Sequence, residues 1–303
     1  MKLKRSPRRF LIIGWLALIA LARLAGAEDW PKGFIVYEGT ESPDERYGIL
    51  VPTYEAWDSN EASEEVNYFA DLKNHRLLGK IKGADYFQNQ NHRALYVTWT
   101  DDSSWCVVQY NDRFGYSAVS VIEPKEASFV QTDIGARIKK GLAAAIQMKG
   151  NEWGDAMPYY RIDSGKLLVR VASTTDPKEM DIKHARYAYF RGTFDVHSKK
   201  WLNADSRRLD YGAYGNSDTA LEDIDTDEEI PTITSDADNM LQSLDRILNG
   251  VYEFLHAVLP PARFAATKKE QIEWLKKRDA ASAVQEKCKL MQGRIKALQD
   301  LLW

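Results

Sequence analysis

Short runs of alternating apolar and polar residues dominate the chain from Gly33 to about Leu209. The runs are rich in Val, Ile, Tyr and Trp, and clusters of turn residues separate them. Alternation with a period of two, bounded by turns, is typical of antiparallel strands joined by hairpins. The clearest runs are Phe34–Tyr37, Tyr47–Pro52, Ala94–Thr100, Trp105–Tyr110 and Leu167–Ala172. The pattern therefore predicts an antiparallel β domain over residues 28–209.

Apolar residues at helical spacing replace this alternation near the C-terminus. A stripe with three-to-four spacing contains Met240, Leu241, Leu244, Ile247, Leu248, Val251, Leu255, Val258 and Leu259. Pro260-Pro261 is expected to end this helix and to begin a second one that runs to Trp303. Residues 236–303 are thus predicted to form an antiparallel helical hairpin. One more helix is predicted inside the β domain, near Thr132–Lys149.

An acidic segment lies between these two regions. Residues 210–238 contain ten Asp and Glu residues and no Lys or Arg. Such a composition disfavours burial, and repulsion between like charges favours an extended chain. We therefore expect residues 210–235 to be a linker. The predicted fold class is α+β and multidomain, with the β domain ahead of the linker and the hairpin after it.

The first 27 residues have the pattern of a cleavable signal peptide. A basic start precedes an apolar run from Phe10 to Ala22, and Ala25-Gly26-Ala27 forms a small-residue cleavage site. The alternative is a membrane anchor, but a spanning helix needs about 20 apolar residues and this run is shorter. The sequence predicts a secreted or periplasmic protein that begins at Glu28 and has no stable membrane insertion.

Charge restricts the class of partner. Without residues 1–27 the chain keeps 35 basic and 44 acidic side chains, a net charge of −9. This balance argues against binding to nucleic acid or to an anionic membrane, both of which require a basic face. It favours a cationic protein partner. The two cysteines, Cys106 and Cys288, are too few for a disulfide framework or a zinc cage, and their pairing is left open.

Two turn segments in the β domain are similar to each other. They are Ser42-Pro43-Asp44-Glu45-Arg46-Tyr47 and Trp99-Thr100-Asp101-Asp102-Ser103-Ser104-Trp105. Each resembles the turn and strand of a β-propeller blade of the TolB or WD40-like type, in which an aspartate caps the turn. The resemblance implies a propeller-like β domain, and the alternative is a pair of ordinary hairpin turns.

The predicted hairpin carries a second resemblance. Asp245, Leu248, Asn249 and Tyr252 match the pattern Asp-x-x-Leu-Asn-x-x-Tyr, and Gln271, Trp274, Arg278 and Asp279 match Gln-x-x-Trp-x-x-x-Arg-Asp. Both patterns, in this order, resemble the LprI-type lysozyme-inhibitor family of small exported helical domains. Ser282 stands near the place where family members commonly carry a cysteine. The resemblance implies a binding protein whose target is a lysozyme-type muramidase.

The same eight residues also have a purely structural interpretation. Tyr252 and Trp274 could stack across the hairpin, and Asp245 and Asn249 could bond Arg278 in a network that fixes the register of the helices. A motif can hold a fold together without touching a partner.

Residues suited to catalysis are sparse. The five histidines never occur at metal-ligand spacing, and the chain has no nucleophile elbow, P-loop or dinucleotide fingerprint. We therefore expect no catalytic residues, no metal site and no cofactor. The sequence predicts a non-enzymatic envelope binding protein, similar to a lysozyme inhibitor. The alternatives are a scaffolding protein whose β domain binds protein or glycan, and a hydrolase on a propeller-like scaffold.

Overall fold

The computed structural model describes residues 30–60, 66–83, 85–147, 156–175, 183–224, 230–231 and 234–303. They form three antiparallel four-stranded sheets and seven helices, so the fold is α+β as predicted. The chain divides into two compact units, Met1–Arg113 with Ser117–Ile134, and Phe114–Tyr116 with Gly135–Trp303. The division lies near residue 134 and not near 209. The predicted signal peptide lies outside the described residues.

The first unit contains two meandering sheets. One sheet consists of β1 (Phe34–Val36), β2 (Tyr47–Pro52), β3 (Tyr68–Asp71) and β4 (Arg76–Lys80), side by side in chain order. The other consists of β5 (Ala94–Trp99), β6 (Cys106–Asp112), β7 (Gly115–Pro124) and β8 (Phe129–Asp133), also in chain order. A short helix, α1 (Tyr54–Asp58), follows β2. The strands predicted near β1, β2, β5 and β6 are confirmed within about two residues.

The apolar faces of the two sheets share one core. Ile49 on β2, Phe69 on β3, Cys106 and Val108 on β6, and Ile122 on β7 are each at most 1% exposed. The residues of each strand that face this core are two apart, and the residues between them on β2 and β6 are buried as well. The core explains why these strands could be predicted from the sequence.

The two similar turns have the same hydrogen-bond pattern. Ser42 Oγ accepts from the backbone N–H groups four and five residues later, at 3.1 and 2.9 Å, and Thr100 Oγ1 does the same at 3.0 and 3.3 Å. Asp44 and Asp102 each accept from the N–H group two residues later. Glu45 and Ser103 both have φ of 58°, the left-handed conformation that such tight turns require. The similarity in sequence is therefore a repeated local structure.

The second unit is built on the third sheet. It contains β9 (Ala156–Asp163), β10 (Lys166–Thr174), β11 (Tyr187–Asp195) and β12 (Lys200–Leu209), again neighbours in chain order. Helix α2 (Gly135–Ala145), predicted inside 132–149, covers one face and brings Gly141 against Phe190. Tyr189 points to the other face, where it packs edge-on against Phe254 of the helical region. The sheet therefore lies between one helix and a helical layer.

Five helices form that layer. They are α3 (Tyr211–Gly215), α4 (Ser217–Leu221), α5 (Thr234–Val258), α6 (Pro261–Ala280) and α7 (Val284–Asp300). The predicted turn at Pro260-Pro261 is confirmed, because α5 ends before it and α6 begins at Pro261. The prediction of one helix from there to Trp303 is wrong. The chain turns extended at Ala281 and Ala283, although neither residue is a helix breaker, and α7 folds back against α5.

The predicted linker is wrong over residues 210–224. Ala213, Ala220 and Leu221 are at most 5% exposed and belong to the core formed by the third sheet and the helices. Gln299 on α7 donates from Nε2 to the carbonyl oxygens of Thr219 and Glu222, at 3.1 and 2.6 Å. This acidic segment folds because a side chain that is distant in sequence, Gln299, forms hydrogen bonds with its backbone. Residues 225–229 and 232–233 lie outside the described residues.

The prediction that residues 236–303 form a separate hairpin domain is also corrected. Residues 236–303 share their core with the third sheet and do not form a compact unit of their own. Cys106 and Cys288 are both free and buried, each in a different unit. No helix among the described residues is long and apolar enough to cross a bilayer.

Candidate functional site

A groove of about 370 Å³ opens between α5, α6 and α7. Its apolar floor is formed by Leu241 and Met291, and Met291 is only 1% exposed. Polar and charged side chains line the rest, namely Gln242, Asp245, Arg278, Asp279 and Lys287. Three of these, Asp245, Arg278 and Asp279, are residues that the sequence singled out. A concave apolar surface with a few converging polar groups is the usual form of a binding site.

Arg278 is the central charge of this groove. Its Nη1 lies 3.4 Å from Asp245 Oδ1 across two helices, and its Nη2 lies 2.8 Å from Oδ1 of the adjacent Asp279. Asn249, one turn after Asp245, donates from Nδ2 to Asp245 Oδ2 at 3.3 Å. The predicted bond of Asp245 to Arg278 is present, but Asn249 bonds Asp245 and not Arg278, and Asp245 is not buried as the prediction required. The Arg278 side chain is 23% exposed, whereas Asp245 and Asp279 are 52% and 64% exposed.

The Trp274 ring packs against the guanidinium group of Arg278. The Arg278 guanidinium carbon lies 5.6 Å from the Trp274 ring centroid, one helical turn away on the same face. A cation over an aromatic face is attracted to it, by about 0.5–1 kcal/mol at exposed sites. Trp274 is partly buried against the core, so the ring positions Arg278 at the groove.

The predicted stack of Tyr252 on Trp274 is wrong. Tyr252 contacts Phe264, with ring centroids 5.2 Å apart. Helices rise about 1.5 Å per residue, so Tyr252 lies about 12 Å before the Pro260 turn and Trp274 about 21 Å after it. In an antiparallel pair the residues that meet are roughly equidistant from the turn. Trp274 is therefore too far along α6 to face Tyr252, and Phe264 is the aromatic residue within reach.

The remaining motif residues hold the helices together. Leu248 is 2% exposed within the core. Gln271 is 8% exposed and accepts a 2.8 Å hydrogen bond at Oε1 from Arg294 Nε on α7. Burial lowers the pKa of Arg294 and raises the pKa of Tyr252. Leu248, Tyr252 and Gln271 are thus structural, and Asp245, Arg278 and Asp279 are the motif residues that face the groove.

Sequence reasoning missed four lining residues. Leu241 was assigned to the apolar stripe, and Gln242, Lys287 and Met291 were not singled out. Lys287 and Met291 lie on α7, which the sequence pattern had merged with α6. The helix ends after Ala280, and α7 then runs back towards the groove. Ala281-Ser282-Ala283 contains no proline or glycine that would have predicted this break.

A buried carboxylate in the first unit has a structural role. Asp71 has no exposed side-chain surface and lies 3.2 Å from Arg46 Nη2 and 3.7 Å from Arg76 Nη2. Burial alone would raise the pKa of Asp71, but hydrogen bonds from Asn74 and Arg46 outweigh that effect and hold it below the usual value. Asp71 also accepts from the Asn74 backbone N–H at 3.1 Å. It therefore ties the β3–β4 turn to β2.

The groove is chemically suited to binding. Its lining offers two carboxylates, two cationic groups, an amide and an apolar floor, without a hydroxyl or thiol nucleophile. Among the described residues no group of three or more His, Cys, Asp or Glu side chains is placed to hold a metal ion. No protein-family model matches the chain, and no curated protein matches it at a significant level.

Proposed function

We propose that this protein is an exported, non-enzymatic binding protein of the cell envelope, and that the α5–α6–α7 groove receives a surface loop of a lysozyme-type muramidase. One observation carries the proposal. Asp245, Arg278 and Asp279, three of the polar residues of the LprI-like pattern, lie together on the rim of one groove.

The geometry of the rim supports protein binding. Arg278 is held between two carboxylates and above Trp274, so little conformational freedom remains for a partner to remove. The half-exposed oxygens of Asp245 and Asp279 can accept further hydrogen bonds from a cationic side chain. A volume of about 370 Å³ suits one or two side chains of a loop, with their apolar parts against Leu241 and Met291.

Charge supports a cationic partner. The exported chain would carry a net charge of −9. Opposite net charge accelerates association, whereas contacts within the groove would set the specificity. The acidic residues 210–224 are folded against the helices, so their charges are held at fixed places on the second unit.

A second candidate role rests on the first unit. Trp57 and Phe87 stack with centroids 4.0 Å apart, and Tyr54 lies beside both with 46% of its surface exposed. Phe87 is buried and Trp57 partly buried, so Tyr54 is the exposed ring of the cluster. Such a ring favours the alternative in which the β domain binds a glycan by stacking against a sugar ring. The sequential four-stranded meanders support a blade-like description of the sheets in this unit.

The proposed inhibition is tested by lysozyme clearing of a bacterial suspension at physiological salt. The chain from Glu28 to Trp303 should slow clearing. The double variant Asp245→Asn/Asp279→Asn should raise the inhibitory concentration at least tenfold. Its matched control is Asp58→Asn/Asp163→Asn, which changes the net charge equally at two exposed acids elsewhere. We expect the control to stay within about twofold.

Two outcomes would contradict the proposal. If the unaltered chain does not slow clearing, muramidase inhibition is wrong. If both double variants weaken inhibition equally, the effect is due to net charge and the groove is not involved. Charges act over only about 8 Å at this ionic strength, so a loss specific to the groove should be confined to the Asp245/Asp279 variant. Export is tested separately by mass spectrometry, which should find a chain that begins at Glu28.

A further inference from the structure

Helix α6 buries unusually little of its surface. Of its 20 residues only Thr267 and Gln271 are buried. Phe264, Trp274, Leu275 and Arg278 are partly buried on the same side, and the rest of the helix is exposed. Helices in globular proteins normally owe their stability to a packed apolar face. The broad outer face of α6 is therefore available to another molecule.

This face is basic in a chain that is acidic overall. The exposed residues of α6 include five basic and three acidic side chains, a net charge of +2, whereas the whole chain carries −3. Five of the basic residues are exposed: Arg263, Lys268, Lys269, Lys276 and Lys277. The net charge of the whole chain conceals this local excess. Net charge therefore does not decide whether α6 presents a basic face.

Three of these lysines surround one exposed apolar residue. Ile272 is 48% exposed, and Lys268, Lys269 and Lys276 lie four before, three before and four after it. Residues at these spacings are neighbours on a helix surface. We call Lys268, Lys269, Ile272 and Lys276 the lysine strip. Its ends, Lys268 and Lys276, are about 12 Å apart along the helix axis.

One carboxylate, Glu273, lies beside the three lysines of the strip, four residues after Lys269 and three before Lys276. Within the described part of the chain, Lys268 and Lys269 form no ion pair. Lys276 pairs with Glu273 at 2.8 Å, but both side chains are at least 66% exposed. Such exposed pairs contribute little, about 0–1 kcal/mol, and a partner can readily replace them.

We propose that the lysine strip binds a linear polyanion that carries phosphate groups. Lysine ammonium groups bind phosphate as mobile point charges, and a strip of them can follow a flexible chain of phosphates. An anionic membrane fits less well, because Ile272 is the only large apolar residue of the strip and surface helices that insert into lipid need a wide apolar face. The strip is separate from the groove lining, so this proposal does not depend on muramidase binding.

The test uses the chain from Glu28 to Trp303 and fluorescently labelled inorganic polyphosphate. Binding is followed by anisotropy at several salt concentrations. The variant Lys268→Gln/Lys269→Gln/Lys276→Gln should bind at least tenfold more weakly at low salt. Its slope of log affinity against log salt should fall by about 2, because each lost contact contributes about 0.7 for a single-stranded polyanion.

The matched control is Lys73→Gln/Lys82→Gln/Lys125→Gln, which removes the same charge from exposed positions in the first unit. It should stay within about twofold of the unaltered chain. Glutamine preserves helix propensity at the three α6 positions, and the three control positions are exposed and outside the strands and helices. Circular dichroism and melting should therefore be unchanged in both triple variants.

Three results would overturn the proposal. The first is no binding of polyphosphate by the unaltered chain at 50 mM salt. The second is an equal loss of affinity in both triple variants, which would indicate a general charge effect. The third is tighter binding to vesicles of anionic phospholipid than to polyphosphate at equal phosphate concentration, with the vesicle binding abolished by Ile272→Ser. That pattern would make the strip a membrane surface.

Discussion

Arg170 on β10 donates from Nη2 to the main-chain oxygen of Trp303 at 3.1 Å, and its guanidinium carbon lies 5.1 Å from the Trp303 ring centroid. Further donors reach the carbonyl oxygens of Leu302, Val169 and Gly192. Arg170 is 5% exposed, and burial lowers its pKa. A buried cation thus fastens the segment after α7 to the middle of the third sheet.

Arg170→Ala should destabilise the protein by about 2–4 kcal/mol, because several buried carbonyl oxygens would lose their donor. Arg208→Ala is the control, since Arg208 is exposed on β12 in the same sheet and should change stability by less than about 0.5 kcal/mol. Urea unfolding followed by circular dichroism measures both. Equal midpoints for Arg170→Ala and the parent would refute an anchoring role.

Two helical glycines should respond to alanine with opposite signs. A Cβ on Gly141 would lie 2.7 Å from Phe190 Cδ2, whereas a Cβ on Gly293 in α7 would meet nothing within 4 Å. Gly141→Ala should destabilise by about 1–3 kcal/mol through overpacking of α2 on the sheet. Gly293→Ala should stabilise by about 0.5–1 kcal/mol through helix propensity. Thermal melting distinguishes them. A gain in stability for Gly141→Ala would mean that α2 does not pack closely on Phe190.

Asp71 should make stability depend on pH in the acid range. Its folded-state pKa is lowered, so its stabilising effect is complete above the pKa of an unfolded aspartate, about 3.9, and is lost as pH falls through the lower folded value. Asp71→Asn should therefore cost about 1–3 kcal/mol at pH 7 and progressively less below pH 4. Asp58→Asn, at an exposed position, is the control. A cost for Asp71→Asn that is the same at pH 7 and pH 3 would rule out its ionised form as the stabilising species.

The two thiols should react only after unfolding. Cys106 and Cys288 are free, with no exposed surface, and burial raises the pKa of both thiols. The thiolate is the reactive form, so both effects slow modification. A thiol reagent should label two groups per chain in denaturant without reductant and almost none in the native protein. Labelling of no groups in denaturant would show that the cysteines pair.

The sequence alone determined the local elements of this protein. The short apolar run Tyr47–Pro52 matches β2 to the residue. The four-residue repeat from Ile134 placed α2, and Pro260-Pro261 placed the turn between α5 and α6. These features depend on neighbours a few residues apart, whose periodicity or backbone restriction acts without the rest of the chain. The bond of Asp245 to Arg278 was also predictable, because the two residues lie at similar distances from the tight turn, about 22 and 27 Å, whereas Tyr252 and Trp274 do not.

Tertiary structure decided the rest. Residues 210–224 have the composition of a solvated acidic segment, yet they fold because Gln299 donates to the carbonyl oxygens of Thr219 and Glu222 and Lys296 lies 3.0 Å from Asp223. α7 leaves the line of α6 at Ala281 because its apolar face, with Met291 and Ile295, is buried against α5 and the rest of the helical core. The basic face of α6 can be recognised only when the buried side of the helix is known, because the net charge of the chain does not show where the charged side chains lie. In each case the deciding partner lies far away in sequence, where local pattern carries no information about it.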